Sequence, residues 1–370
     1  MKTAIPMIDL HAQYHSIKQE IDAAVTKTFE EAAFIGGAPV AQFESDFERF
    51  LGTGKVISCA NGTDSMEIVL KALNVGPGDE VIVPAHTWIS TSEVVVTAGA
   101  TPVFVDVDYN TCCLDVEDVK RKITNRTKAI IAVHLYGHPA ALSELKELCT
   151  SKNLYLMEDC AQAHGSRYHN QYVGTWGTAS SFSFYPGKNL GCYGDGGAVY
   201  TDDAILAKRI KQLGNHGQLK KHDHQIHGRN SRLDTLQARV LSVKLPYLED
   251  WVAQKNKHAA YYTEGLQNIE QINLPQVEEK AYHSWHLYVI KTKKRDALKN
   301  YLAEQGIGTG IHYPKALPFQ ACYAKMGHTE ADFPVAARLQ DEILSLPMYA
   351  ELEKGQLDHV IASIQKFFEQ

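Results

Sequence analysis

The chain has 370 residues, 44% apolar and 22% charged, a composition that suits a soluble globular fold of two or three domains and excludes disorder, collagen-like repeats and a coiled-coil rod. Its 37 basic and 43 acidic residues give a net charge of -6, so there is no global basic footprint for nucleic acid. No apolar run approaches the roughly 18 residues of a membrane span, and the opening MKTAIPMIDLHAQYHS has one lysine and no long apolar core, unlike a signal peptide.

In chain order, helical patterns at 64–74, 90–99, 115–123 and 142–151 alternate with β-rich runs at 79–85, 101–107, 128–135 and 154–159. Further strands are predicted at 179–184 and 197–201. Most of these runs are nearly continuous in Val, Ile, Ala, Leu or Phe, as strands buried on both faces should be. The rhythm predicts βαβ crossovers and a mainly parallel sheet covered by helices, with ligands beyond the carboxyl ends of the strands. After about residue 233 the pattern changes. A long helical stretch runs from Asp234 toward Gln267 and bends near Pro246. A strand at 285–292, a helix at 294–305, an extended piece at 307–313 and helices at 333–344 and 355–368 follow. The expected division is a large α/β domain over 1–245 and a smaller α+β domain over 246–370, tightly packed, with no internal repeat or flexible linker.

The seven cysteines, Cys59, Cys112, Cys113, Cys149, Cys160, Cys192 and Cys322, form no C-x-x-C pair and are odd in number. Free thiols in a reducing cytoplasm are expected. The adjacent Cys112 and Cys113 read as loop or strand thiols rather than a metal or redox pair. The histidine-rich 215–227 stretch reads as a basic loop near a diphosphate or as solvated surface, and no metal is expected.

Four places could carry chemistry. In SFSFYPGKNLGCYGDGGA at 181–198, a strand runs into a glycine-rich loop holding Lys188. That lysine reads as a Schiff-base lysine, a phosphate-binding lysine or a plain loop lysine. The loop is not a Walker A motif, because G-x-x-x-x-G-K-[ST] is absent, nor a dinucleotide fingerprint, because its GDGG run precedes a strand rather than a helix. In SCANGTD at 58–64, Asn61, Gly62 and Thr63 open a helix, which serves as an N-cap or an anion site. Asp159 in LYLMEDCAQAHG stands at the carboxyl end of an apolar strand, where a carboxylate needs a partner. It could pair with a protonated pyridine nitrogen or cap the next segment, with Gln162 and His164 on the same turn. Trp88 in PAHTWIST, past another strand end, could stack on a planar cofactor or serve as a core or lid residue.

Together they supply an anion-binding helix start, an aromatic face, an acid and an amine, each after a parallel-type strand. Pyridoxal 5′-phosphate requires those four. Over almost its whole length, from MIDLHAQYHSIKQEI through FIGGAPVAQFE to LSLPMYAELE, the chain resembles the DegT/DnrJ/EryC1/StrS sugar aminotransferases, which have the aspartate-aminotransferase fold of pyridoxal-phosphate enzymes. The landmarks are ANGTDS at 60–65, PAHTW at 84–88, HLYGHP at 134–139, EDCAQAHG at 158–165, SFYPGKNLGCYGDGGA at 183–198, GRNSRLDTLQA at 228–238 and IHYP at 311–314.

The resemblance implies that Lys188 bonds to the cofactor aldehyde and that Asp159 pairs with the pyridine nitrogen. It places Gln162 near the ring hydroxyl, and Gly62, Thr63 and Ser183 at the phosphate. Trp88 corresponds to an aromatic stacked on the ring. Asn230 reaches the phosphate from the other subunit, so a homodimer with shared active sites is implied. Tyr185, His312 and Tyr313 fall in segments that line the sugar-nucleotide site. KALPFQ at 315–320 departs from the more basic or histidine-containing stretch expected after IHYP, so substrate contacts do not carry over to that loop.

The implied activity is transamination of a nucleotide-linked keto sugar with L-glutamate as donor and 2-oxoglutarate as product. The lysine loop looks closest to members that aminate C3 of a dTDP-linked 6-deoxyhexose; a C4 ketone or a UDP-linked sugar is the alternative. A dehydratase on the same sugars is disfavoured by Lys188, since relatives of that kind carry histidine there. A non-catalytic regulator is disfavoured by the intact cofactor positions and by an N-terminal stretch too short for a DNA-binding module. Such products commonly feed O-antigen, S-layer glycan or antibiotic sugars.

Overall fold

The computed structural model describes residues 5–52 and 54–369, so the first four residues of the N-terminal stretch lie outside the description. Its strands are β1 Lys55–Cys59, β2 Glu80–Pro84, β3 Thr101–Val105, β4 Thr127–Val133, β5 Tyr155–Asp159, β6 Arg167–Tyr168, β7 Gln171–Tyr172, β8 Ala179–Ser183, β9 Gly197–Thr201, β10 Ala281–Tyr282, β11 Tyr288–Lys291 and β12 Ile343–Leu346. Seven of them form one sheet in the order β1-β9-β8-β5-β4-β2-β3. The run from β8 to β3 is parallel. β9 is antiparallel to both β8 and β1. Two reversals make β1 run with β8, so the carboxyl ends of β1, β2, β4, β5 and β8 open on one edge of the sheet. The chemistry expected of Asn61, Trp88, Asp159 and Lys188 therefore converges there.

The architecture is the expected α/β one, with a mostly parallel sheet. Helices Gly62–Ala72, Ser90–Thr97, Val116–Lys122 and Leu142–Lys152 lie where the periodicity predicts. The predicted bend is a 3-10 turn at Leu245–Tyr247 between helices Thr235–Lys244 and Leu248–Leu266, with Pro246 unable to continue the backbone ladder.

Two features differ from the sequence reading. Helices Leu10–Ser16, Lys18–Glu30 and Ala38–Leu51 fill the N-terminal region, and helix Ala204–Gly214 follows β9. The third of these buries Phe43, Phe47 and Leu51 at a four-residue spacing against the sheet, a legible amphipathic stripe. The helix expected over 333–344 stops at Glu342, because Ile343–Leu346 pairs antiparallel with β11 and pairing overrides local propensity. The piece at 307–313 is non-helical, in keeping with the extended reading. It makes single bridges, Ile307 to Ile5 and Gly310 to Ser345.

A hydrophobic cluster over the central sheet joins Val81, Val83, Ile131 and Met157 with Leu287, Val289 and Leu339 from the C-terminal part. A separate C-terminal core gathers Tyr262, Tyr288, Leu298 and Val360 around Ile5. Ile5 is therefore part of the C-terminal packing. All seven cysteines are free, and only Cys322 is exposed. Among the described residues no helix is long and apolar enough to cross a membrane.

Candidate active site

A cavity of about 690 Å3 opens at that sheet edge. Gly62, Thr63, Trp88, Asp159, Gln162, Ser183, Tyr185, Lys188, His312 and Tyr313 all line it. Asn230 does not. It is exposed and paired in a single bridge with Asn215.

One end of the cavity is an anion cradle. Asn61 caps helix Gly62–Ala72 by accepting from the Asp64 N–H at 2.8 Å. The N–H groups of Gly62 and Thr63 make no bond among the described residues, and a helix start leaves such donors for an anion. The Thr63 hydroxyl lies 2.7 Å from that of Ser90, and Ser183 closes the other side. Only glycine fits at 62, because a Cβ there would stand 2.7 Å from the Ser183 Cβ. Asp64, buried beside the cradle, would repel an anion were it unpaired. Arg229 neutralises it at 2.8 Å and also holds Glu67 at 2.9 Å. The same arginine anchors the segment that carries Asn230.

At the cavity floor Asp159 is 5% exposed. It accepts from the Thr91 hydroxyl and from the Ala161 N–H, both at 3.1 Å. Burial raises its carboxyl above the ordinary range, opposed by the Ala161 N–H, the Lys188 charge and Thr91. A carboxylate offers about four acceptor sites, so capacity remains for a cationic N–H donor. Gln162 accepts from the Tyr136 N–H at 2.6 Å and donates to the Tyr313 hydroxyl at 2.9 Å. The Trp88 ring is 56% exposed and tilts against Tyr313 at 5.4 Å, leaving much of its surface to the cavity.

Lys188 sits in the loop after β8. Its N–H closes a tight turn on the Tyr185 carbonyl at 2.9 Å. The neighbouring Asn189 is clamped by the Ser284 carbonyl at 3.0 Å and by Lys255 at 2.8 Å. The Lys188 amine itself makes no hydrogen bond or ion pair among the described residues. Burial pushes it down to about 8, against the opposing pull of Asp159. A lysine with a lowered pKa is a neutral nucleophile and base near neutrality. Its reactivity in cofactor-free protein should therefore rise tenfold per pH unit only up to about pH 8, whereas an ordinary lysine keeps rising to about 10.4. Acetylation rates followed by peptide mass spectrometry would show this. A plateau near pH 10 would refute it.

An acid, an amine, an aromatic face and an anion cradle around one cavity fit pyridoxal 5′-phosphate. The sequence reading did not single out Ser90, Thr91, Asp64, Arg229 or His286. Ser90 and Thr91 follow Trp88 directly, and that adjacency was the available signal. Arg229 and Asp64 are far apart in sequence, so no local pattern joins them. Segment 315–320 is absent from the cavity lining. Its apolar character is explained by docking, since the Leu317 N–H donates to the Ala85 carbonyl at 2.8 Å and Leu317 is buried.

Two other clusters lie outside this cavity. His134, Glu158 and Cys160 bring three potential metal ligands together. Glu158 already accepts from the backbone of Gly174, Trp176 and Gly177 at 2.6 to 2.8 Å and pairs with His134 Nε2 at 3.1 Å. His134 Nδ1 accepts from the Ala140 N–H at 2.9 Å. These groups brace β4 against β5. The histidine-rich stretch is an arm exposed over residues 219–228, with a bridge between Gln218 and His224.

The sequence profile of the DegT/DnrJ/EryC1/StrS aminotransferase family matches residues 15–365. A pleiotropic regulatory protein of Geobacillus stearothermophilus is 41% identical over 98% of both chains. A dTDP-3-amino-3,4,6-trideoxy-alpha-D-glucose transaminase of Streptomyces venezuelae is 40% identical over 99% of this chain and 96% of that protein. The crystal structure of S. venezuelae DesV, in complex with a ketimine intermediate, superposes over all of both chains with a TM-score of 0.98 at 39% identity. NtdA of Bacillus subtilis, solved with bound PMP, gives 0.93 at 29% identity over all of this chain and 86% of that one.

Proposed function

This chain belongs to the DegT/DnrJ/EryC1/StrS aminotransferase family, and we propose that it moves the amino group of L-glutamate onto the C3 ketone of a dTDP-linked 6-deoxyhexose. Its cofactor is pyridoxal 5′-phosphate. The observation that carries the reading is the single cavity lined by Lys188, Asp159 and the Gly62–Thr63 helix start.

When bound, the cofactor's protonated ring takes up the electrons of a carbon that has lost its proton. The Gly62 and Thr63 N–H groups, with the Thr63 and Ser183 hydroxyls, hold the phosphate. Asp159 accepts a hydrogen bond from the ring nitrogen and keeps it protonated. Gln162 would lie near the ring hydroxyl and Trp88 would stack on one ring face. Lys188 would be the amine that holds the cofactor aldehyde. With the cofactor bound, the neutral Lys188 amine would be the base that accepts the proton of the donor's α-carbon and the acid that returns it to the cofactor carbon. In the second half-reaction the proton moves the opposite way, giving a ping-pong scheme. Tyr185, His312 and Tyr313 form the sugar wall.

Asn230 would complete the phosphate site of a partner subunit in a homodimer. Its exposure outside the cavity supports this. So do exposed Phe34 and Ile35, which lie against Asp234 and Thr235 and offer apolar surface on the same side. We read residues 1–245 as the cofactor-bearing unit and 246–370 as the smaller one, and the product as a cytoplasmic precursor of O-antigen or related glycans.

The test is a spectral one. Glutamate should bleach the near-visible band of the holoenzyme. Fresh dTDP-3-keto-6-deoxyhexose should restore it, with nitrogen from labelled glutamate in the product. Restoration only by the 4-keto or a UDP-linked sugar would overturn the substrate. No response to glutamate would overturn the donor.

A further inference from the structure

Tyr136 lies in the HLYGHP turn after β4. It is buried, 5% exposed, and has φ of 61°, a conformation that a bulky L-residue adopts only where its surroundings impose it. Its bonds account for the constraint. The Tyr136 N–H donates to Gln162 Oε1 at 2.6 Å, and Gln162 Nε2 donates to the Tyr313 hydroxyl at 2.9 Å. The Tyr136 hydroxyl donates to the His312 carbonyl oxygen. Because that hydroxyl has one proton, the 2.9 Å contact with His86 Nε2 must have His86 as donor. The Tyr136 carbonyl in turn accepts from the Leu287 N–H at 3.2 Å.

These bonds close a ring from Tyr136 through Gln162 and Tyr313 to His312 and back. A shift of any residue of the ring strains one of these hydrogen bonds, of which that from the Tyr136 N–H to Gln162 is buried and the other two are partly buried. The following glycine allows the C-terminal part to come this close. Gly137 has φ of 100°, and a Cβ there would stand 2.6 Å from the Ser284 hydroxyl.

We propose that Tyr136 is a positioning residue, which holds the His312–Tyr313 wall in register with the Gln162 side chain and so sets the keto-sugar pocket from the β4 turn. The inference rests on the reading of His312 and Tyr313 as the sugar wall. The His312 ring has its own anchor, Nδ1 at 2.8 Å from the Ser345 hydroxyl. The Tyr136 hydroxyl therefore governs the backbone of the segment rather than that ring.

Tyr136→Phe removes one oxygen and keeps the backbone bond to Gln162. In the holoenzyme, amide hydrogen exchange over 311–316 should quicken about tenfold, the equivalent of one buried hydrogen bond, while the central strands stay unchanged. The glutamate half-reaction should stay within about twofold of wild type, and KM for the keto sugar should rise about tenfold with kcat little altered. Unchanged exchange over 311–316 would overturn the proposal. So would equal slowing of both half-reactions, which marks general loosening of the site. If wild-type enzyme accepts no keto sugar, the sugar reading fails, and hydrogen exchange still decides whether Tyr136 positions the segment.

Discussion

Lys188→Ala should lower transamination about ten-thousand-fold while leaving cofactor binding measurable. The two consequences come from different parts of the cavity. The anion cradle is built from the Gly62 and Thr63 N–H groups and from hydroxyls, and Asp159 is fixed by Thr91 and Ala161. None of these depends on the lysine. The proton transfer does, because among the described lining residues Lys188 is the only amine. The lining histidines are poor substitutes. Burial, then the charges of Lys188 and Lys255, hold His286 well below its usual range, and burial with Lys188 takes His312 to about 4. Lys188→Arg should not rescue the rate, since a guanidinium stays protonated at any working pH. Steady-state rates with glutamate and the keto sugar, alongside equilibrium dialysis of the cofactor, would check both halves. A Lys188→Ala enzyme with a tenth of normal turnover would sink the assignment.

Much of this site was legible because its residues follow strand ends. The strand-like runs of the sequence place β2, β5 and β8; Asp159 is the last residue of β5, and Trp88 and Lys188 lie four and five residues past the ends of β2 and β8. Segments separated in sequence were harder to read. Arg229 meets Asp64 only when helix Gly62–Ala72 packs beside the 228–231 segment, and no periodicity encodes that pairing. The Tyr136 ring of bonds needs the 134–137 turn and the 312–313 segment in contact, across 176 residues for its hydroxyl bond. Short strands failed for a related reason. β12 reads as the tail of a helix until β11 offers it a partner. β1 is half-buried with a mixed pattern, so its KVISC run lacks the continuous apolar signature of β2. The helix Ala38–Leu51 is legible in its Phe43, Phe47 and Leu51 spacing, a four-residue stripe that needs no distant partner to be seen.

Asp159→Asn should produce opposite effects with and without cofactor. Asparagine keeps the shape and can still accept from the Ala161 N–H, while the Thr91 hydroxyl can turn to accept from the new amide. In the cofactor-free protein the substitution removes a buried carboxyl whose pKa is raised chiefly by burial. A carboxyl with a raised folded-state pKa stabilises the fold below its unfolded value and loses that contribution as pH rises through the folded value. At neutral pH the wild-type carboxylate is therefore a cost, and the cofactor-free Asn variant should melt at a higher temperature. With pyridoxal 5′-phosphate the order should reverse, because the cationic ring nitrogen loses its charged partner and binding energy with it. Turnover should fall by about a hundred- to a thousand-fold, the range for removing one electrostatic stabiliser from a water-excluded site. Thermal melts at pH 7 with and without cofactor, paired with initial rates, separate these effects. A variant that binds cofactor as tightly as wild type and turns over within threefold of it would show that Asp159 is a structural cap and that the ring nitrogen is held by another group. The conflict between stability and function at this one buried carboxylate explains why an apolar strand, Tyr155–Asp159, ends in a charge at all.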